Sequence, residues 1–177
     1  MIRTERLLLR PWAARDREPY HLIKRDPLVM ATLGPLQTRA ESDATLDGLI
    51  ASARRYGYTF WAMERRQDGA LLGYAGLLHG PEGSPVAGEL EIGWGLASAH
   101  WGRGYAREAA VAVLAWGWAE THAARIVAIT TPGNVRSWGL MERLGMRRLP
   151  DGDFDHPRLA PGDPLRRHIT YEIARPG

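Results

Sequence analysis

Three short stretches hold residue types whose spacing suits chemistry. The first is HWGRGYAREAA, residues 100–110. Gly102 and Gly104 oppose helix while the alanines that follow favour it, so a loop ends and a helix begins here. The first turn of a helix has free N–H groups and roughly half a positive charge, and glycines let an anion come close to that backbone. Arg103 and Arg107 flank the junction and add cationic side chains. The same residues also suit a tight turn feeding a close-packed helix, since Ala106, Ala109, Ala110 and Val113 share one face. A dinucleotide fingerprint fits poorly, because GRGYAR lacks the third glycine and its strand comes mid-chain, after a hairpin.

The second stretch, ELEIGWGL at 89–96, alternates: Leu90, Ile92, Trp94 and Leu96 take one face, Glu89, Glu91, Gly93 and Gly95 the other. A carboxylate so placed either accepts a proton or is plain solvated surface. Gly93 and Gly95 permit a bulge that would part the strand from a neighbour, or mark crowding against another segment. In the third stretch Asn134 and Ser137 lie three apart at a helix start and project to one side, and Asn after Pro-Gly also suits an N-cap.

Other chemistry is poorly supported. The chain has no cysteine, which excludes disulfides, thiol catalysis and Cys-based zinc sites and fits a cytoplasmic protein. Its six histidines show no HExxH spacing, so no metal site is expected. Asp151, Asp153 and Asp155 mimic the start of a calcium loop, but His156 stands where glycine is needed and Gly162 where the bidentate glutamate is needed. A net charge of +3 comes from scattered arginines, with Lys24 the only lysine, and implies a modest taste for anionic ligands without a nucleic-acid tail. No apolar run approaches a membrane span, and the start does not resemble a signal peptide.

The elements that must position these residues follow from periodicity and punctuation. Strands are predicted at Arg6–Arg10, Thr59–Glu64, Leu71–His79, Glu89–Leu96, Arg125–Thr130, Met146–Leu149 and Arg167–Ile173. Helices are predicted over about 17–24 with Asp16 as cap, from the Thr38/Glu41 capping box to Tyr56, from Tyr105 to Thr121, and from Asn134 to Leu144. Residues 80–88 and 151–163 read as loops. With no repeat or linker, the chain reads as one α/β domain with a mixed sheet.

TERLLLRPW, EIGWGL, WGRGYAREA, the run RIVAITTPGN with its LMERLGM sequel, and the closing FDHPRL and YEI segments together resemble the GNAT superfamily of acyl-CoA N-acyltransferases. They are most like its Rim-type branch, the ribosomal-protein N-terminal acetyltransferases. The resemblance spans nearly the whole chain. It implies an α+β fold: a mixed, mostly antiparallel sheet of about seven strands flanked by about four helices.

The resemblance also implies roles. The family's pyrophosphate loop, Gln/Arg-x-x-Gly-x-Gly/Ala, falls on Trp101, Gly102, Arg103, Gly104, Tyr105 and Ala106, with Trp replacing the usual first residue. The backbone N–H groups through Arg107 would hold the pyrophosphate of acetyl-CoA, the strand through Leu96 would pair with its pantetheine arm, and Asn134 would bond that arm. Family position favours Glu91 over Glu89 as the base, and Glu91→Gln would then slow the reaction most at low pH. N–H groups near Trp94–Leu96 would stabilise the oxyanion. Where many members carry a thiolate-protonating tyrosine this chain has Met141, and likeness to the Rim-type branch implies Ser137 as the replacement. Trp61 reads as core or helix–sheet packing or, with Trp12, as a border of the acceptor site, and His156 with Asp155 either lines that pocket or makes a turn. The expected activity is acetyl transfer from acetyl-CoA to an amine such as a peptide N-terminus. The alternatives are a small-molecule amine acetyltransferase of the aminoglycoside or polyamine kind, and a non-catalytic acyl-CoA-binding module. The oligomeric state, monomer or homodimer, stays open.

Overall fold

A computed structural model describes residues 1–177. Along the chain lie β1 (Ile2–Arg3), β2 (Leu7–Arg10), α1 (Arg17–Lys24), α2 (Pro27–Met30), α3 (Arg39–Tyr56), β3 (Phe60–Arg65), β4 (Leu71–His79) and β5 (Leu90–Leu96). They are followed by α4 (Tyr105–Glu120), β6 (Arg125–Thr130), α5 (Val135–Arg143), β7 (Arg147–Asp155) and β8 (Arg167–Ala174). The strands form one sheet in the order β1-β2-β3-β4-β5-β6-β8-β7. Every neighbouring pair is antiparallel except β5 and β6. The mixed, mostly antiparallel GNAT-like architecture is therefore as expected, with eight strands in place of seven and five helices in place of four.

Strand alternation sorts the side chains into two layers. On one face Leu7, Leu9, Met63, Leu77, Ile92 and Ile126 pack against Ala109, Ala110 and Val113 of α4 and Met141 of α5. On the other, Ala62 and Tyr74 meet Trp12, Tyr20, Leu46 and Leu49 from the N-terminal segment, α1 and α3. The Thr38/Glu41 capping box opens α3 as its spacing predicts.

Two local expectations are corrected, and one short helix is added. Asp16 does not cap α1 with its side chain: its carboxylate takes two hydrogen bonds from Arg10, at 2.7 and 2.8 Å, because a buried carboxylate gains more from a bidentate arginine than from one backbone N–H. Pro27 both follows the end of α1 and starts α2, since at the first helical position its missing N–H costs nothing, and Asp26 caps it from Leu28 N at 2.9 Å. The loop expected from Asp151 is instead strand as far as Asp155, with a register shift between Leu149 and Phe154. There β8 offers an edge, and Phe154 buries itself against Val86 and Val127, so pairing overrides the local turn chemistry.

Candidate active site

The site begins where two strands part. β5 and β6 pair only at Leu90–Ile126 and Glu91–Val127, and then diverge. The pairing of β4 with β5 continues without a register shift to Gly73–Leu96, and Ala97 N–H still donates to Leu72 O at 2.9 Å. In an antiparallel ladder successive residues aim their backbone groups to opposite sides. Ala97 points at β4, so Trp94 and Leu96 point the other way, into the slot that β6 has vacated. Gly93 and Gly95 do not make a bulge. They make room: a Cβ on Gly93 would lie 2.5 Å from Phe60 Cζ, and one on Gly95 would lie 2.5 Å from Tyr74 Oη.

The slot widens into a cleft of about 1000 Å³ that both sheet faces reach. At one end is the glycine turn. Gly102 and Gly104 have φ of +73° and +80°, a conformation costly for any residue with a Cβ, and Gly104 is the N-cap of α4. A Cβ on Gly102 would meet nothing within 4 Å, so the turn is open to a ligand. Gly102, Gly104, Tyr105, Ala106 and Arg107 all line the cleft. Arg103 does not: its carbonyl accepts from Arg6 Nη1 at 3.0 Å, and its side chain lies exposed outside. Trp101 lines the cleft too, and its indole N–H donates to Leu96 O at 3.0 Å, tying the turn back to β5. A Trp there thus has a structural use that the family's Gln or Arg pattern does not reveal. The close-packed helix expected as the bland alternative is also present, with Ala109, Ala110 and Val113 fully buried.

The two glutamates separate. Glu89 accepts from Arg125 at 2.8 Å and lies off the cleft. Glu91 lines it at the point where the strands part, with no hydrogen bond or ion pair of its own. Part of its surface stays open, yet burial pushes its carboxyl from 4.5 up to about 8, against the opposing pull of the Arg158 cation. Such a group is largely protonated at pH 7.

Across the cleft, Asn134 caps α5: its side-chain oxygen accepts from Ser137 N at 3.3 Å. Asn134, Ser137 and Met141 line the cleft together, and Met141 is almost fully buried. His100 Nδ1, also on the cleft side, is buried without a hydrogen-bond partner.

Several residues are not where the resemblance puts them. Trp12 is buried with its N–H on Phe60 O at 2.7 Å, and Trp61 packs edge-on to Trp116 at 4.9 Å; neither lines the cleft. His156 makes a turn, its Nδ1 accepting from Arg158 N at 3.2 Å. In their place the cleft has Phe60 and Tyr74, stacked at 5.8 Å, and Leu28, Val29 and Leu33 at the α2 end. Arg136 spans it by lying 4.6 Å over the Trp101 ring. The glycines opposite Phe60 and Tyr74 were the one sequence signal for that aromatic floor. No side chain cluster suitable for a metal is present.

A parted parallel pair in an otherwise antiparallel sheet, with a glycine turn at a helix N-terminus beside it, makes a slot open to an extended ligand with an anionic end. Residues 6–147 match the acetyltransferase (GNAT) domain model. The chain is 32% identical over 144 residues to the uncharacterized protein YkkB of Bacillus subtilis (strain 168), covering 81% of this chain and 83% of that one. It superposes on an acetyltransferase from Agrobacterium tumefaciens str. C58 with a TM-score of 0.79 and 30% identity, over 97% of this chain and 92% of that chain. A GNAT-family acetyltransferase from Bacillus anthracis gives 0.79 and 27%, over 98% of each. RimL, a ribosomal L7/L12 α-N-protein acetyltransferase solved in complex with coenzyme A, shares the fold at a TM-score of 0.76 and 16% identity, over 97% of this chain and 95% of that one. The chain belongs to the GNAT acetyltransferase family.

Proposed function

We propose that this protein is a single-domain, acetyl-CoA-dependent N-acetyltransferase that works through a ternary complex in the cytoplasm. The observation that carries this reading is one cleft joining a glycine-lined helix N-terminus to a desolvated carboxyl at the strand separation. The backbone N–H groups of Gly102–Arg107 hold the diphosphate, with the Arg107 side chain adding charge. The outward N–H groups of Trp94 and Leu96 bond the pantetheine arm and the carbonyl oxygen as it becomes an oxyanion. Asn134 bonds the same arm with the amide N–H₂ that capping leaves free.

Glu91 acts as base, directly or through a water. Its carboxylate form takes one proton of the ammonium, the neutral nitrogen bonds to the thioester carbon, the C–S bond breaks, and the nitrogen's second proton passes to the departing thiolate. Ser137, on the same helix as Met141 and also lining the cleft, relays that proton, taking the nitrogen's as it gives up its own. With no cysteine in the chain, a thiol-bound acyl-enzyme plays no part. A peptide N-terminal α-amine is the favoured acceptor, supported by the shared fold of RimL.

The test is a calorimetric titration with acetyl-CoA followed by measurement of CoA release with a panel of amines. Binding with release supports the reading. Binding without release for any amine leaves an acyl-CoA-binding module, and a turn that stays empty at saturating acetyl-CoA overturns both.

A further inference from the structure

Lys24, the only lysine, is buried at the end of α1 with 8% of its surface exposed. No carboxylate pairs with it. Its Nζ donates to Tyr74 Oη at 3.1 Å and lies 4.9 Å over the Tyr74 ring and 5.4 Å over that of Tyr20. Burial opposes its charge, but the two tyrosines outweigh burial and the net shift keeps it an ammonium. Tyr20, pushed up to about 12 mainly by burial, stays a neutral phenol. A buried cation without an anion is costly unless something supplies one.

Tyr74 lies between that cation and the cleft. It is paired with Gly95 on β5, lines the cleft, and its hydroxyl occupies the space a Gly95 side chain would take. Because its oxygen accepts from Lys24, its own proton is the one left to donate, and the ammonium strengthens that donor. Glu91, Gly93 and Gly95 share one strand face, so the carboxyl and the phenol stand at two ends of a floor with the Phe60 ring between them. Glu91 is the one carboxylate lining the cleft, whose other charged side chains are Arg107, Arg136 and Arg143. Arg158 adds its field at the Glu91 end. A polyamine or aminoglycoside would bring several cations to a site with a single, mostly protonated acid.

We infer that Tyr74, its hydroxyl polarised by the Lys24 ammonium, recognises an anionic oxygen group on the acceptor, so that the preferred substrate is an amine bearing a carboxylate or phosphate several bonds from its nitrogen. Tyr74 touches the acceptor; Lys24 is a positioning residue acting through it. This rests on the transferase reading for the place of the amine, but binding can be read without turnover.

Two probe sets separate a peptide source from a small-molecule one. One is Ser-Asp-Ala amide with its Asn and Lys counterparts; the other is 4-aminobutyrate with butylamine and 1,4-diaminobutane. Calorimetry on the full-length protein with CoA bound is expected to show the carboxylate-bearing member of at least one set binding about tenfold more tightly than the member with no second charge, and the member with a second cation most weakly. Tyr74→Phe and Lys24→Met should each cut that preference to about threefold or less, and in turnover the loss should fall on acceptor KM more than on kcat. Absence of a preference, a preference for the dication, or a preference surviving Tyr74→Phe overturns the inference. If Lys24→Met does not fold, Tyr74→Phe decides alone. Preference intact with no CoA release for any amine sinks the transferase reading and leaves this one standing.

Discussion

The two ends of the cleft are built in opposite ways. The end proposed for the cofactor is made of backbone: a turn held by two positive-φ glycines, the first N–H groups of α4, and the outward groups of a strand edge. The end proposed for the acceptor is made of side chains from separate elements: Phe60 from β3, Tyr74 from β4 and Glu91 from β5. Backbone sites tolerate side-chain change and fail when conformation changes. Side-chain sites behave the other way round.

The largest effect should come from breaking the backbone end. Gly104→Val forces a β-branched residue into φ near +80° and is expected to weaken acetyl-CoA binding about 100-fold by calorimetry, with the fold retained. Next is Glu91→Gln. Below its pKa the wild-type carboxyl is already protonated and cannot act as base. The loss in kcat/KM should therefore be a few-fold at pH 6 and grow to about 100-fold as pH rises past about 8. That reverses the low-pH expectation drawn from the sequence, because burial moves the titration upward. Acetyl-CoA affinity should not change, and a flat wild-type/variant ratio from pH 6 to 9 would remove Glu91 from proton transfer.

Gly95→Ala sharpens the comparison from the acceptor end. Its methyl would press on the Tyr74 ring, so acceptor KM should rise about tenfold with acetyl-CoA affinity changed by less than about threefold. Ser137→Ala should lower kcat by about threefold to tenfold and leave cofactor affinity intact; unchanged turnover would assign thiolate protonation to water.

The smallest effect is on stability. Ionising Glu91 is unfavourable in the fold, since its pKa rises from 4.5 to about 8, so wild-type stability falls as pH climbs through that interval. Glu91→Gln lacks the penalty. Its Tm should match the wild type near pH 4.5 and exceed it by about 5 °C at pH 9, read by thermal unfolding.

Much of the fold was legible because its signals are local. The 3.6 and 2.0 periodicities, the Thr38/Glu41 box and the Pro-Gly-Asn cap set elements that the structure keeps. Misreadings came where a partner distant in sequence intervened: Arg10 took Asp16 from its cap, and β8 drew residues 151–155 into a strand. In the site, Gly102, Gly104 and Asn134 could be found from spacing. Tyr74 and Lys24 could not, since Tyr74 reads as ordinary strand core and Lys24 as an ordinary cation in the last turn of its helix.

By itself the sequence determined the element order, the glycine turn at a helix start and the absence of any thiol, because these depend on residues adjacent in the chain or on composition. Tertiary structure alone decided that Glu91 faces the cleft while Glu89 pairs with Arg125, and that a buried ammonium stands behind a cleft-facing phenol. Desolvation and ion pairing depend on what folding brings near in space, and strand alternation puts both glutamates on the same face without saying which one water can still reach.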